Sequence, residues 1–101
     1  MTRMQKELPP GLSFVRRTPL FTCESVPAAL LSEHSVKRGT WGLLRVERGR
    51  VRYCRDGALA DMCIVPEGGT VLIEPEVPHH VELLDEHTAF FVEFHRLEAQ
   101  A

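Results

Sequence analysis

The sequence predicts an all-β fold, either a sandwich or a barrel, formed by one small domain. Short runs in which apolar and polar residues alternate indicate strands. Turn residues separate these runs, notably Asp56-Gly57 and Pro66-Glu67-Gly68-Gly69. Helical periodicity is compatible with only one stretch, Pro27 to Ser35. The chain has 101 residues, which is enough for a single hydrophobic core but not for two such domains.

The first half of the chain predicts two strands. Leu12 to Phe21 reads as a short edge strand that Pro19 interrupts. Pro27 to Ser35 fits a helical turn that begins at proline and also fits a strand, so both assignments remain open. Thr40 to Arg48 predicts a strand whose core-facing residues are Gly42, Leu44 and Val46.

The second half predicts a hairpin and a final strand. Val51 to Cys54, with Val51 and Tyr53 facing inward, should pair with Ala58 to Val65 across the Asp56-Gly57 turn. Thr88 to Arg96 predicts the last strand, and the total is six to eight strands.

The central stretch, Gly68 to Leu84, predicts a strand, a bend at Pro75 and Pro78, and a second strand that begins with two histidines. His79 shares its parity with apolar neighbours, and His80 shares its parity with glutamates. Successive side chains of a strand point to opposite faces. We therefore expect His79 to face the core and His80 to face outward.

Composition excludes several classes of function. The net charge of -2 gives no basic surface for nucleic acid and no polybasic patch for a membrane. No apolar run reaches the roughly 18 residues of a membrane-spanning helix, and residues 1–10 lack the apolar centre of a secretory signal. We expect a soluble, cytoplasmic protein that binds neither nucleic acid nor membrane.

Glycine-bounded strands with a proline turn and an inward histidine, supplied by Gly69, Pro75 and His79, resemble the second motif of the cupin superfamily. The segment EHSVKRGTWG from Glu33 to Gly42, with Gly49 downstream, is similar to the small cupin domain of TehB-type tellurite resistance proteins and of stand-alone YeaR-like proteins. The likeness covers roughly residues 8–95. It implies a cupin-type, jelly-roll-like antiparallel β-barrel and a homodimer. We expect one domain over residues 1–101, ordered from about residue 8 to 97, with a flexible N-terminal arm and C-terminal tail.

The resemblance also implies a metal site. Cupins take ligands from both motifs, and here His34 and His79 are the matching histidines, whereas Gly42 stands where the usual acidic ligand would be. Imidazole and carboxylate ligands suit zinc, iron, manganese or nickel, so a divalent transition metal is the expected cofactor. Gly42 and Tyr53 are expected to line the pocket, and the missing side chain of Gly42 should leave space there.

A third ligand depends on which face of the last strand points inward. If Ala89, Phe91 and Glu93 face the interior, Glu93 completes a set with His34 and His79. If Phe90, Val92 and Phe94 face it, Glu93 is solvated, and apolar content favours this second assignment. Glu82 is the alternative ligand, or a residue that orients His79 from behind.

Three functions fit these features. The first is a small metal- or ligand-binding protein connected with responses to toxic oxyanions or oxidative stress. The second is a metal-dependent enzyme of dioxygenase or isomerase type, and the third is a dimerising structural module with an empty pocket. The chain ends at Ala101 without a glycine-rich strand-to-helix loop for a methyl-donor cofactor, so we expect no methyltransferase activity.

Overall fold

The chain folds into two antiparallel β-sheets that pack face to face. The computed structural model describes residues 8–32, 35–57 and 60–97. Within these ranges it contains eight strands and one 3₁₀ turn, which are β1 (Leu12–Arg17), β2 (Phe21–Thr22), the 3₁₀ turn (Ala28–Leu31), β3 (Thr40–Arg48), β4 (Val51–Arg55), β5 (Asp61–Val65), β6 (Thr70–Ile73), β7 (His79–Leu83) and β8 (Ala89–Leu97).

The larger sheet has five strands and the smaller sheet has three. In the larger sheet β8 pairs with β1, β2 and β3, and β3 also pairs with β6. In the smaller sheet β4 lies between β5 and β7. The all-β prediction is confirmed, but the two sheets are not closed into a barrel among the described strands, so the structure does not confirm a cupin barrel.

The core lies between the two sheets and draws residues from both. Alternation along each strand places one side chain in two on the inner face, and these apolar side chains form a single cluster. Its buried members are Leu44, Val46, Val51, Tyr53, Val65, Val71, Ile73, Val81, Phe90 and Val92. The inward assignments made for β3 and β4 are therefore confirmed.

The turn from β3 to β4 depends on a glycine. Gly49 has a φ of 69°, which lies in the left-handed region that disfavours residues with a Cβ atom. A Cβ atom on Gly49 would also lie 2.4 Å from Thr88 Oγ1 and 2.9 Å from Thr88 Cα. The Thr88 hydroxyl occupies this space because it donates to the Arg50 carbonyl and accepts from the Asp85 amide. The close approach thus locks the β3–β4 turn against the loop before β8.

The bend between β6 and β7 carries the chain from one sheet to the other. Glu76 has a φ of 63°, its N–H donates to the Val36 carbonyl at 2.8 Å, and the Asp56 N–H donates to the Pro78 carbonyl at 2.7 Å. These bonds hold the bend beside the segment that follows the 3₁₀ turn. They fix the position of His79, the first residue of β7.

One further property concerns membranes. Within the described ranges, no helix has the length and apolar character needed to cross a bilayer.

Candidate functional site

His79 lies at the base of a pocket at one end of the sandwich. Its side chain faces the inner surface of β7 and is 2% exposed, whereas His80 faces outward, as the alternation predicted. The ring nitrogen Nδ1 lies 3.0 Å from the Val77 carbonyl oxygen, to which it donates a hydrogen bond. The imidazole also packs on the Tyr53 ring, with 5.5 Å between the ring centroids. Tertiary contacts on both sides therefore fix the orientation of the ring.

The pocket above His79 has a volume of about 320 Å³ and walls that are mostly apolar. The larger sheet forms one wall, and the 3₁₀ turn with its flanking residues forms the other. Polar side chains enter the lining at three residues, Arg16, Thr18 and His79. The apolar lining residues are Pro19, Phe21, Pro27, Ala29, Leu30, Val36, Ile73, Val92 and Phe94. Such a wall favours a small molecule with an apolar body and few polar groups.

A second pocket of about 380 Å³ adjoins the first. The two pockets share Arg16, Val36 and Phe94, and the Arg16 guanidinium lies 4.7 Å from the centroid of the Phe94 ring at this boundary. Lys37 and Arg96 add two further cations to the second pocket, and within the described ranges no acidic side chain lines either pocket. The combined cavity is thus apolar at the His79 end and cationic at the other.

Tyr53 places a polar atom in the core beneath His79. Its side chain is fully buried, and its hydroxyl has no hydrogen-bonding partner among the described residues. Burial in this apolar setting raises the pKa of the phenol, with a smaller contribution from the negative charge of Glu74. The phenol is therefore neutral and cannot act as a base at physiological pH.

A buried arginine holds the strand that faces His79. Arg55 lies opposite His79 in the β4–β7 register, and its side chain is 1% exposed. Its guanidinium donates two hydrogen bonds to Asp61, at 2.6 and 2.7 Å, and one to Glu74 at 2.8 Å. The Asp61 hydrogen bond raises the pKa of Arg55, and the same bond lowers the pKa of Asp61. The cluster joins β4, β5 and the bend that leads to His79.

Sequence reasoning missed Arg55 and most of the pocket wall. Arg55 shares the inward parity of Val51 and Tyr53, and that parity was a usable signal. The wall includes Leu30, which belongs to the segment left open between turn and strand, and within that segment Ala28–Leu31 form a 3₁₀ turn.

Among the residues predicted to bind metal, the three that the structure describes, His79, Glu93 and Glu82, do not lie together. His34 lies outside the described residues. Glu93 follows Val92 on the opposite face of β8, where its carboxylate lies 3.0 Å from Arg45 Nε. Of the two assignments for the last strand, the one with Phe90, Val92 and Phe94 facing inward is therefore correct. Glu82 lies on the outer face of β7 and forms an ion pair with Arg52, away from His79.

Gly42 and Tyr53 lie beneath the pocket and do not line it. Gly42 faces inward as expected, but the space predicted beside it is filled. A Cβ atom at Gly42 would lie 3.1 Å from Ile73 Cβ and 3.2 Å from Val92 Cγ1. The glycine allows these two side chains to approach β3, and both of them line the pocket floor.

The described residues bring one other set of ligand-type side chains together, on the outer face of the smaller sheet. Ligand atoms of Cys54, His80 and Glu82 lie within 4.8 Å of one another. Two of them already have protein partners, because His80 Nδ1 lies 3.0 Å from the Asp56 carboxylate and Glu82 pairs with Arg52. A hydrogen bond to Asp56 and an ion pair with Arg52 thus account for His80 and Glu82 without a metal.

Comparison with known proteins gives a family match. The model of a family described as the TehB-like domain matches residues 16–92. Two curated relatives, from Haemophilus influenzae strains 10810 and KW20, are each 28% identical over 75 residues and are named probable S-adenosyl-L-methionine-dependent methyltransferase TehB. The match covers 70% of this chain and 26% of each relative, so the chain spans about a quarter of their length.

Solved structures with the same fold extend over nearly all of the chain. A crystal structure of an Escherichia coli K12 protein from the Northeast Structural Genomics Consortium superposes with a TM-score of 0.84 at 24% identity, covering 92% of this chain and 98% of that one. The crystal structure of TehB from Haemophilus influenzae superposes with a TM-score of 0.78 at 25% identity, covering 87% of this chain and 32% of that one.

These relatives correct two predictions. The expected absence of methyltransferase activity, and with it the oxyanion- or stress-related metal-binding role, is wrong, because the relatives are named as methyltransferases. A divalent metal is also the wrong cofactor, because the names of the relatives specify S-adenosylmethionine. The first prediction relied on the absence of a glycine-rich strand-to-helix loop in the chain, and the second relied on the resemblance to cupin metal sites.

The residues of the pocket do not fit S-adenosylmethionine itself. The methyl donor carries a positive sulfonium and ribose hydroxyls, which proteins commonly hold with carboxylates. No carboxylate of the described residues lines either pocket, and Arg16, Lys37 and Arg96 would repel the sulfonium.

Proposed function

The chain belongs to the TehB-like family, and from that premise we propose that it takes part in S-adenosylmethionine-dependent methyl transfer, with the His79 pocket as the binding site for the methyl acceptor. The observation that carries the proposal is a pocket of about 320 Å³ whose walls are apolar and whose base is the fixed imidazole of His79. Concave, mostly apolar sites with a few placed polar groups are typical of small-molecule binding.

His79 supplies orientation at the base of the site. Its Nδ1 hydrogen is directed at the Val77 carbonyl and its ring packs on Tyr53, so the imidazole presents a constant surface to an acceptor. Phe94, Ile73 and Val92 would exclude water around the apolar part of that acceptor. The role proposed for these residues is to bind and orient the acceptor.

Four finer statements belong to the same proposal. We infer a cupin-type arrangement, which is supported by eight antiparallel strands in two facing sheets and by a β6–β7 bend that passes between the sheets. A homodimer and a cytoplasmic location follow from the family resemblance and the composition. A single domain over residues 1–101 also remains a prediction.

The proposed function is tested by blocking the pocket without disturbing the core. Ala29 lines the pocket at an exposed position of the 3₁₀ turn, whereas Ala28 is exposed on the same turn and does not line it. Ala29→Trp should fill the entrance, and Ala28→Trp is the matched control.

The probe is 2-phenylethanol, a neutral molecule with an apolar ring and one hydroxyl. We expect it to shift the amide NMR signals of Ile73, His79 and Phe94 in the wild type and in Ala28→Trp, and to leave them unchanged in Ala29→Trp. Binding of 2-phenylethanol that is equal in all three proteins would contradict the assignment of the pocket.

A further inference from the structure

We propose that the acceptor is an anion: its apolar part occupies the His79 pocket and its negative group, a carboxylate or a phosphate, lies in the adjoining cationic pocket. This inference rests on the proposed function and names the class of molecule that the site takes. The two pockets share Arg16, Val36 and Phe94, so one small molecule can occupy both.

The lining of the second pocket indicates its preference for an anion. Arg16, Lys37 and Arg96 contribute three positive charges, and the hydroxyl-bearing residues Ser35 and Thr40 complete the polar surface. Among the residues that the structure describes, no aspartate or glutamate lines the pocket, although the whole chain has more acidic residues than basic ones, 14 against 12. The charge of the pocket is therefore opposite in sign to that of the chain.

Like Arg17 and Arg48, the cations of this pocket have no carboxylate partner among the described residues. Five other arginines, at positions 38, 45, 50, 52 and 55, each form an ion pair with a carboxylate. Within the part of the chain that the structure describes, Arg16, Lys37 and Arg96 form no ion pair with a carboxylate. An anionic ligand would supply the partner that these three side chains lack.

Arg16 lies where the two kinds of surface meet. Its guanidinium lies over the Phe94 ring at 4.7 Å from the centroid, and both residues line both pockets. Stacking on the ring limits the positions of the guanidinium, and guanidinium matches the planar geometry of carboxylates and phosphates. A ligand with an apolar ring and an anionic group one or two bonds away fits this arrangement.

The test compares four probes that share a benzene ring and differ in charge. Phenylacetate and phenyl phosphate are anions, 2-phenylethanol is neutral, and 2-phenylethylamine is a cation. At low ionic strength we expect both anions to bind about 10-fold more tightly than the alcohol, and the amine to bind most weakly. The order of phenylacetate and phenyl phosphate distinguishes a carboxylate acceptor from a phosphate acceptor. About 0.5 M salt should reduce the preference for anions, because the three cations are solvent-exposed.

Matched variants identify the charges that carry the preference. Lys37→Gln and Arg96→Gln should each weaken phenylacetate binding about 3-fold and leave 2-phenylethanol binding unchanged. Arg38→Gln is the control, because Arg38 neighbours Lys37 in sequence but does not line the pocket and faces Glu76. Equal effects of Lys37→Gln and Arg38→Gln would overturn the proposal.

The outcomes separate this inference from the function beneath it. If 2-phenylethanol binds at Ile73 and His79 but phenylacetate binds no more tightly, the anion inference fails and the proposed function stands. If none of the four probes binds in the pocket, both fail.

Discussion

Among the ion pairs of the described residues, those of Arg55 with Asp61 and Glu74 should contribute most to the stability of the fold. Arg55→Met keeps an apolar side chain of similar length but removes the cation that pairs with Asp61 and Glu74. Breaking a buried ion pair by removing one partner costs about 3–5 kcal/mol. The side chains of Asp61 and Glu74 are 41% and 21% exposed and keep part of their hydration, so we expect the lower end, about 3 kcal/mol. For a domain of this size, that loss lowers the melting temperature by roughly 12–24 °C.

The assay is equilibrium unfolding in urea, followed by the fluorescence of Trp41, the one tryptophan in the chain. Arg45→Met is the matched control, because Arg45 also pairs with a carboxylate at 3.0 Å but is 44% exposed. Exposed pairs contribute about 0.2–1 kcal/mol, so the control should change stability little. Similar losses in both variants would refute the reasoning that burial makes Arg55 important.

The pH dependence of unfolding gives a second test of the same cluster. Arg55 holds the pKa of Asp61 below its ordinary value, so the ionised carboxylate stabilises the fold above the unfolded pKa of about 3.9. That contribution is lost as pH falls through the lower folded pKa. As the pH falls below about 4, Arg55→Met should therefore lose less stability than the wild type does. Asp85, whose pKa is lowered by Arg50, contributes equally to the pH dependence of both proteins. Identical slopes would contradict the pairing.

Two further substitutions test the turn and the core. Gly49→Ala should lower the free energy of unfolding by about 2–4 kcal/mol, because the new Cβ atom would meet Thr88 at a residue with positive φ. Gly57→Ala is the control: its φ is 74° and nothing lies within 4 Å, so it should cost only about 1 kcal/mol. Equal losses would argue against the contact with Thr88. Tyr53→Phe removes a buried hydroxyl that has no partner among the described residues, so the urea midpoint should rise by an amount equivalent to about 1 kcal/mol. A fall of that size would mean that the hydroxyl is hydrogen-bonded in the native protein.

Local features of this fold could be predicted from the sequence because strand periodicity is strict. The strand Thr40–Arg48 has the predicted bounds, and parity placed His79 inside and His80 outside. The predicted pairing of β4 with β5 also forms, from Val51 with Val65 to Arg55 with Asp61, but β5 begins at Asp61 and not at Ala58, so the predicted two-residue turn at Asp56-Gly57 is not confirmed. These features depend on neighbouring residues alone, and side-chain alternation is set by the backbone.

Features that depend on the pairing of distant strands could not be predicted. Thr70–Ile73 and His79–Leu83 lie in different sheets, which the Pro75 bend permits but does not require. The face of Glu93 remained open because Phe91 and Val92, of opposite parity, are both apolar and both buried. The pocket wall combines β8 with the 3₁₀ turn, and no local pattern links them. The family resemblance correctly predicted membership of the TehB-like family. It also predicted a metal cofactor, whereas the names of the relatives specify S-adenosylmethionine.

The most direct test of the central claim follows methyl groups. S-adenosylmethionine labelled with ¹³C in its methyl group is added to lysates of the native cells, in which the chain is wild type, Ala29→Trp or Ala28→Trp. We predict that mass spectrometry detects at least one ¹³C-methylated small molecule whose amount falls about 10-fold or more in Ala29→Trp and is unchanged in Ala28→Trp. The reason is that position 29 lines the His79 pocket and position 28 does not. The same methylated molecules at the same levels in all three lysates, with equal amounts of folded protein, would contradict the claim that this pocket binds the methyl acceptor.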